Sequence, residues 1–167
     1  MPPRDFSDAV TQAADVVFKS AEDVLRQVPA NEARNLVIDP LVDANTGQQT
    51  VSTVRMEKIL NEVVRTRYPS FSVRPLTRDS LQQSPLLLIG TLTAINSGGD
   101  AKARPDIFRI WLTVIDLRTG KIIGKAIARA TENSVDPTPT AYFNDTTSGV
   151  KDRRVAGYVE SCQINSK

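Results

Sequence analysis

The chain has 167 residues, 40% of them hydrophobic and 24% charged, the proportions of an ordinary globular domain, and a chain of this length buries roughly two thirds of the surface it exposes when unfolded. Its 21 basic and 19 acidic residues leave a formal charge of +2; the densest basic spots, Arg65 with Arg67 and Lys151 with Arg153 and Arg154, are too small for a phosphate-tracking groove, so no nucleic-acid partner is expected. No apolar run approaches the ~20 residues of a bilayer crossing, so no membrane span is expected, and the single cysteine, Cys162, excludes an intrachain disulfide and a cysteine-built zinc site.

In chain order, Phe6, Val10, Ala13, Val17, Ala21, Val24 and Val28 recur at helical spacing and predict an amphipathic helix over 6–28, capped by Asp5 or Ser7 and stopped by Pro29. Leu36, Val37 and Ile38 predict a buried strand that bends at Pro40 before Leu41 and Val42. After a loop over 43–49, a second helix is expected from Thr50 or Val51 to Tyr68. Its face is Val51, Val54, Ile59, Leu60, Val63 and Val64, and Pro69 ends it. A strand over 71–76 follows, then one or two helical turns capped by Thr77 or Asp79. Residues 86–95 begin as a continuous apolar run and then alternate, as a central strand does. Residues 108–117 and 122–130 flank Arg118, Thr119, Gly120 and Lys121, the strongest hairpin signal in the chain.

This order predicts an α+β fold: a mixed, mostly antiparallel sheet of about five strands, with two main helices packed on it and a βαβ start feeding a meander. The expected domain is 1–132, with its core in 35–130. Residues 133–167, rich in Pro, Asp, Thr and Ser, read as an extended tail or linker toward further domains. The first residues carry no apolar signal-peptide stretch, and the last end without a helix or strand stop, as a piece of a longer protein would.

The chain has no histidine, which removes the usual general base, the usual zinc ligand and any histidine-activated nucleophile. No enzyme, metal or cofactor is therefore expected. Asp39 and Asp43 fall near the C-terminal end of the first strand, where α/β sheets often bind ligands. With Asn45 and Gln48 they form the candidate ligand-binding set, against the alternative that they only cap and turn a loop; EF-hand spacing is absent. Residues 45–50 lack the lysine and second glycine of a phosphate loop, and residues 97–100 read as a flexible connection. Trp111 lies on the strand face opposite Ile110 and Leu112. It is either a core residue, the preferred reading, or an exposed anchor that joins Tyr142, Phe143 and Tyr158 as candidate partner-binding residues. Nothing near Cys162 predicts an activated thiol.

Residues 35–43 (NLVIDPLVD), 65–69 (RTRYP), 84–91 (SPLLLIGT) and 115–121 (IDLRTGK) resemble the N-terminal domain of bacterial envelope proteins that continue into tetratricopeptide-like repeats and an OmpA-like peptidoglycan-binding domain. Residues 135–140, Gly157, Tyr158 and 161–163 are similar to the segment that leads toward those repeats. More distantly, the element order and the Asp116 to Gly120 hairpin resemble the domain shared by curli-secretion lipoproteins, flagellar outer-membrane accessory proteins and the lipoprotein activators of penicillin-binding proteins. The resemblance implies a periplasmic or outer-membrane-associated module. It would bind another envelope protein or a peptidoglycan-associated complex through a sheet edge or the tail, and a homodimer is also open to it. The alternative expectation is a small-ligand or cell-wall-fragment site at the loop after the first strand.

Overall fold

In a computed structural model, residues 3–27, 34–83, 85–99 and 102–140 are described. They form three helices, α1 (Phe6–Leu25), α2 (Val51–Arg67) and α3 (Arg78–Gln82), and six strands: β1 (Asn35–Ile38), β2 (Val42–Asp43), β3 (Ser72–Arg74), β4 (Leu86–Ile95), β5 (Ile107–Asp116) and β6 (Lys121–Thr131). The sheet order is β3-β1-β4-β5-β6, with β2 also paired to β4. β1 runs parallel to β3 and β4, whereas the long β4-β5-β6 meander is antiparallel. This is the α+β mixed sheet that the pattern predicts, with most of its pairing in the antiparallel meander. None of the described helices is long and apolar enough to cross a membrane.

The caps explain where the helices begin. Asp5 accepts from the Ser7 amide at 3.1 Å, and Thr50 with Thr53 closes a reciprocal box at the start of α2, at 2.8 and 3.2 Å. Thr77 caps α3 by accepting from the Ser80 amide. Two predicted helix faces need correction. Val24 is 45% exposed and Leu25 takes the core position, because the stripe continues through Val17, Phe18, Ala21 and Leu25 at spacings of one, three and four residues. In α2, Val51 is exposed and the buried stripe is Thr53, Met56, Leu60, Val63 and Val64. There the capped first turn faces residues 136–140, whose Asp136 and Thr138 carbonyls accept from the Ser52 and Val51 amides. β3 is shorter than expected because Pro75 has no amide hydrogen to continue a ladder, although Phe71 just before it is buried in the core.

The predicted bend at Pro40 has a definite geometry. Ile38 pairs with Leu88, and the chain rejoins the same strand where Val42 pairs with Thr91. Four residues thus advance beside three, and the extra residue turns the backbone out of the sheet at Asp39 and Pro40.

The sheet carries apolar clusters on both faces. On the helix face, α1 and α2 cover Leu36, Leu88, Leu92, Ile110, Leu112 and Val114. α1 lies against β6, where Gly124, Ala126, Ala128 and Ala130 meet Ala9, Ala13, Ala14 and Ala21, small residues opposite small residues. At Gly124 the approach is closest: a Cβ there would lie 2.6 Å from the Val17 carbonyl oxygen. On the other face, Val37, Leu87, Ile89, Trp111, Ile115 and Leu117 pack with Leu81 of α3 and Leu76. Residues 132–140 continue onto the domain: Ser134 Oγ accepts from the Phe6 amide at 3.1 Å, and the Thr140 amide donates to the Gln49 carbonyl at 3.0 Å.

Candidate functional site

The four residues proposed for a ligand do not converge. Asp43 serves its own turn, its carboxylate accepting from the Asn45 amide at 2.8 Å and the Thr46 amide at 3.1 Å. The turn closes with the Asp43 amide donating to the Gln48 carbonyl, and with Gly47 at φ 70, a left-handed conformation suited to glycine. Asn45 and Gln48 are exposed, and Asn45 borders a different cavity from the one beside Asp39.

Asp39 stands apart at the β1–β2 bend. Burial, and secondarily the Glu57 charge, pushes its carboxyl up to about 7, and burial also raises Glu57. Glu57, with Asn61 and Arg65 of α2, borders a cavity of about 460 Å³, whose other walls include Arg74 and the two neighbours of Asp39, Ile38 and Pro40. Those three α2 residues lie four apart and line one helix face, a polar stripe next to the buried one. That spacing was readable in the sequence and marks the residues that sequence reasoning missed. Asp39, its carboxyl raised by burial, can hold a proton near neutral pH. Among the described residues, no group of three or more His, Cys, Asp or Glu side chains is placed to hold a metal ion.

Trp111 is 5% exposed and packed with Ile89 and Ile115, so it offers no anchor on the surface of the single chain. Tyr142, Phe143, Tyr158 and Cys162 lie outside the described residues. The exposed apolar residues of the sheet are instead on β6: Ile127 at 62% and Ile122 at 48%. β6 is the last strand of the sheet. Near its C-terminal end, Arg4 donates to the Arg129 carbonyl and accepts from the Thr131 amide. Because edge-facing groups alternate along a strand, the amides and carbonyls of Lys125 and Ile127 face outward too. Among the described residues nothing pairs with them.

No family model matches the sequence, and no curated protein matches it. Solved structures of similar arrangement include the LpoB C-terminal domain from Salmonella enterica, with a TM-score of 0.45 and 11% identity over 77% of this chain and 100% of that one. The LpoB C-terminal domain from Escherichia coli gives a TM-score of 0.43 and 10% identity over 71% of this chain and 98% of that one. A Xanthomonas campestris protein of the DUF330 family gives 0.36 and 10% identity, over 83% and 78% respectively. These are resemblances of arrangement at low score and low identity, and they bring no residue role with them.

Proposed function

We propose that this chain is a non-catalytic protein-binding domain of the bacterial cell envelope, in the periplasm or at the outer membrane, which docks another envelope protein along the outer edge of β6. The carrying observation is the β6 edge, which among the described residues is bridged only near its C-terminal end by Arg4, with Ile127 and Ile122 exposed beside it. An extended segment adding to such an edge gains main-chain hydrogen bonds and places alternate side chains against the sheet. The resemblance of the element order and the Asp116 to Gly120 hairpin to envelope lipoprotein domains supports the location, and the tail from 133 to 167 is proposed to lead to further domains.

The charge of the edge selects the partner. Lys121, Lys125 and Arg129 are exposed along β6, and edge lysines are a common guard against self-pairing. A second β6 laid antiparallel would set these cations against their own copies, so a homodimer through this edge is disfavoured. A partner strand with acidic residues at alternate positions suits it. A ligand site in the Asp39 crevice is the weaker reading, because Asp43, Asn45 and Gln48 do not join it.

The test is retention of proteins from a bacterial envelope extract by the wild-type chain, by Ile127→Asp, and by Val16→Asp as a control on the exposed side of α1. A protein retained by wild type and by Val16→Asp but lost with Ile127→Asp is the expected result. Equal retention by all three removes the edge from the binding surface. Retention by none removes protein binding.

A further inference from the structure

On the face away from α1, β6 carries Ile122, Lys125 and Ile127, all exposed. They pair with Ile115, Thr113 and Trp111 of β5, every second residue of that strand, so the three form one evenly stepped row. The even step depends on the bulge opposite Val114 and Ile115, where β6 uses one residue more than β5. That surplus turns Ile123 into the helix-side core and leaves Ile122 on the outer face. Ile115 and Trp111 belong to the second apolar cluster, so the two exposed isoleucines carry that cluster to the rim of the sheet, with a lysine between them.

The open part of this edge has definite limits. It begins at the turn that contains Gly120 and ends where Arg4 takes the Arg129 carbonyl and the Thr131 amide. Pro2 and Pro3 precede Arg4 and have no amide hydrogen with which to lengthen that bridge toward Ile127. Arg129, which faces Arg109 across the ladder, thus lies on the closed part, and Lys121 flanks the turn. Lys125 is left as the cation in the middle of the open stretch. Its outward amide and carbonyl, like those of Ile127, set an added strand directly beside it. Whichever way that strand runs, the side chain next to Lys125 and those two positions away on either side fall on the same face.

We propose that the segment docked by β6 has an acidic residue with an aliphatic residue two positions away on each side. This rests on the edge docking proposed above and specifies its partner. The acid lies against Lys125, and the aliphatic side chains cover Ile127 and Ile122 and so enlarge the second apolar cluster at the rim. A lysine at the central position would face Lys125, and like charges directly opposite repel.

The test follows the Lys125 and Ile127 amide resonances of the whole chain by NMR during titration with three acetylated and amidated peptides at low, constant ionic strength. The first is Ser-Val-Thr-Glu-Thr-Val-Ser; the second has lysine in place of the glutamate, and the third has alanine in place of both valines. The first is expected to give saturable shifts at both amides, and each of the others to bind about fivefold more weakly or less tightly still. In Lys125→Glu, an exposed substitution, the order of the glutamate and lysine peptides is expected to reverse. No shift at the two amides, equal affinity for the glutamate and lysine peptides, equal affinity for the valine and alanine peptides, or an unreversed order in Lys125→Glu would each overturn the proposal. An envelope protein lost with Ile127→Asp, alongside equal binding of the glutamate and lysine peptides, would overturn this partner and leave edge docking standing. Retention unaffected by Ile127→Asp, with no shift at the two amides, would overturn both.

Discussion

Replacing Asp39 by asparagine is expected to stabilise the protein at neutral pH and to leave it unchanged in acid. The carboxyl is raised from 3.8 to about 7, chiefly by burial and then by Glu57. The folded state therefore keeps a proton that the unfolded chain releases above its ordinary pKa. Between about pH 4 and pH 7 unfolding releases that proton, so this group's contribution to stability falls as pH rises through the window and levels off above it. Each pKa unit corresponds to about 1.4 kcal/mol, which sets a ceiling of about 4 kcal/mol for ionising Asp39 in the folded chain. Asp39 retains some exposure, so roughly half the ceiling, about 2 kcal/mol, is expected after solvent screening. Asparagine keeps the shape and removes the charge. Urea denaturation followed by the fluorescence of Trp111, the protein's one tryptophan, should show Asp39→Asn equal to wild type near pH 4 and more stable by about 2 kcal/mol at pH 8. Glu57→Gln should shift the wild-type curve in the same direction by less, because its charge is the smaller cause. A difference that does not vary with pH, or an Asp39→Asn chain less stable at pH 8, would refute the buried-carboxylate reasoning.

Two further substitutions test the packing that supports the β6 surface. Gly124→Ala sets its new Cβ 2.6 Å from the backbone oxygen of Val17 and 3.2 Å from Val17 Cγ2; because a helix backbone cannot step aside as a side chain can, a loss of about 1–3 kcal/mol in urea denaturation is expected. Trp111→Ala empties the centre of the second apolar cluster and should cost about 3–5 kcal/mol, followed by circular dichroism because the fluorescent probe is gone. A loss below about 1 kcal/mol at Trp111 would mean that this face is not a packed core.

Much of this fold was legible because local chemistry marks it. The Asp116 to Gly120 turn shows why: the Asp116 carboxylate accepts from the Arg118 amide, its carbonyl accepts from the Gly120 amide at 2.7 Å, and Gly120 sits at φ 73, all within five residues. The same holds for Thr50 and Thr77 as helix caps and for the unbroken apolar start of β4. What escaped depends on residues far apart in sequence. Nothing near Met56 says that it, and not Val51 or Val54, turns inward; the incoming 136–140 segment decides that. Nor does the Asp39-to-Asn45 stretch announce that a one-residue surplus at Pro40 sends Asp39 toward α2 while Asp43 closes a private turn. The Arg109–Arg129 pair is twenty residues apart along the chain and becomes a neighbour pair only through the hairpin register, in which a bulge between Val114 and Ile115 shifts every partner beyond it.

The two faces of β6 have opposite composition, and the contrast bears on how a partner would be met. Toward α1 it presents Gly124, Ala126, Ala128 and Ala130, so the helix backbone lies close behind the strand; outward it presents Lys125, Ile127 and Arg129. One end of the strand is joined to β5 by the tight turn at Gly120, and the other is bridged by Arg4, just before the Asp5 cap that starts α1. An edge fixed at both ends and backed along its length needs little ordering when a second strand adds to it. Ordering of backbone and side chains is a large part of what association costs, so the small residues on the hidden face would serve the proposed docking edge as well as the core.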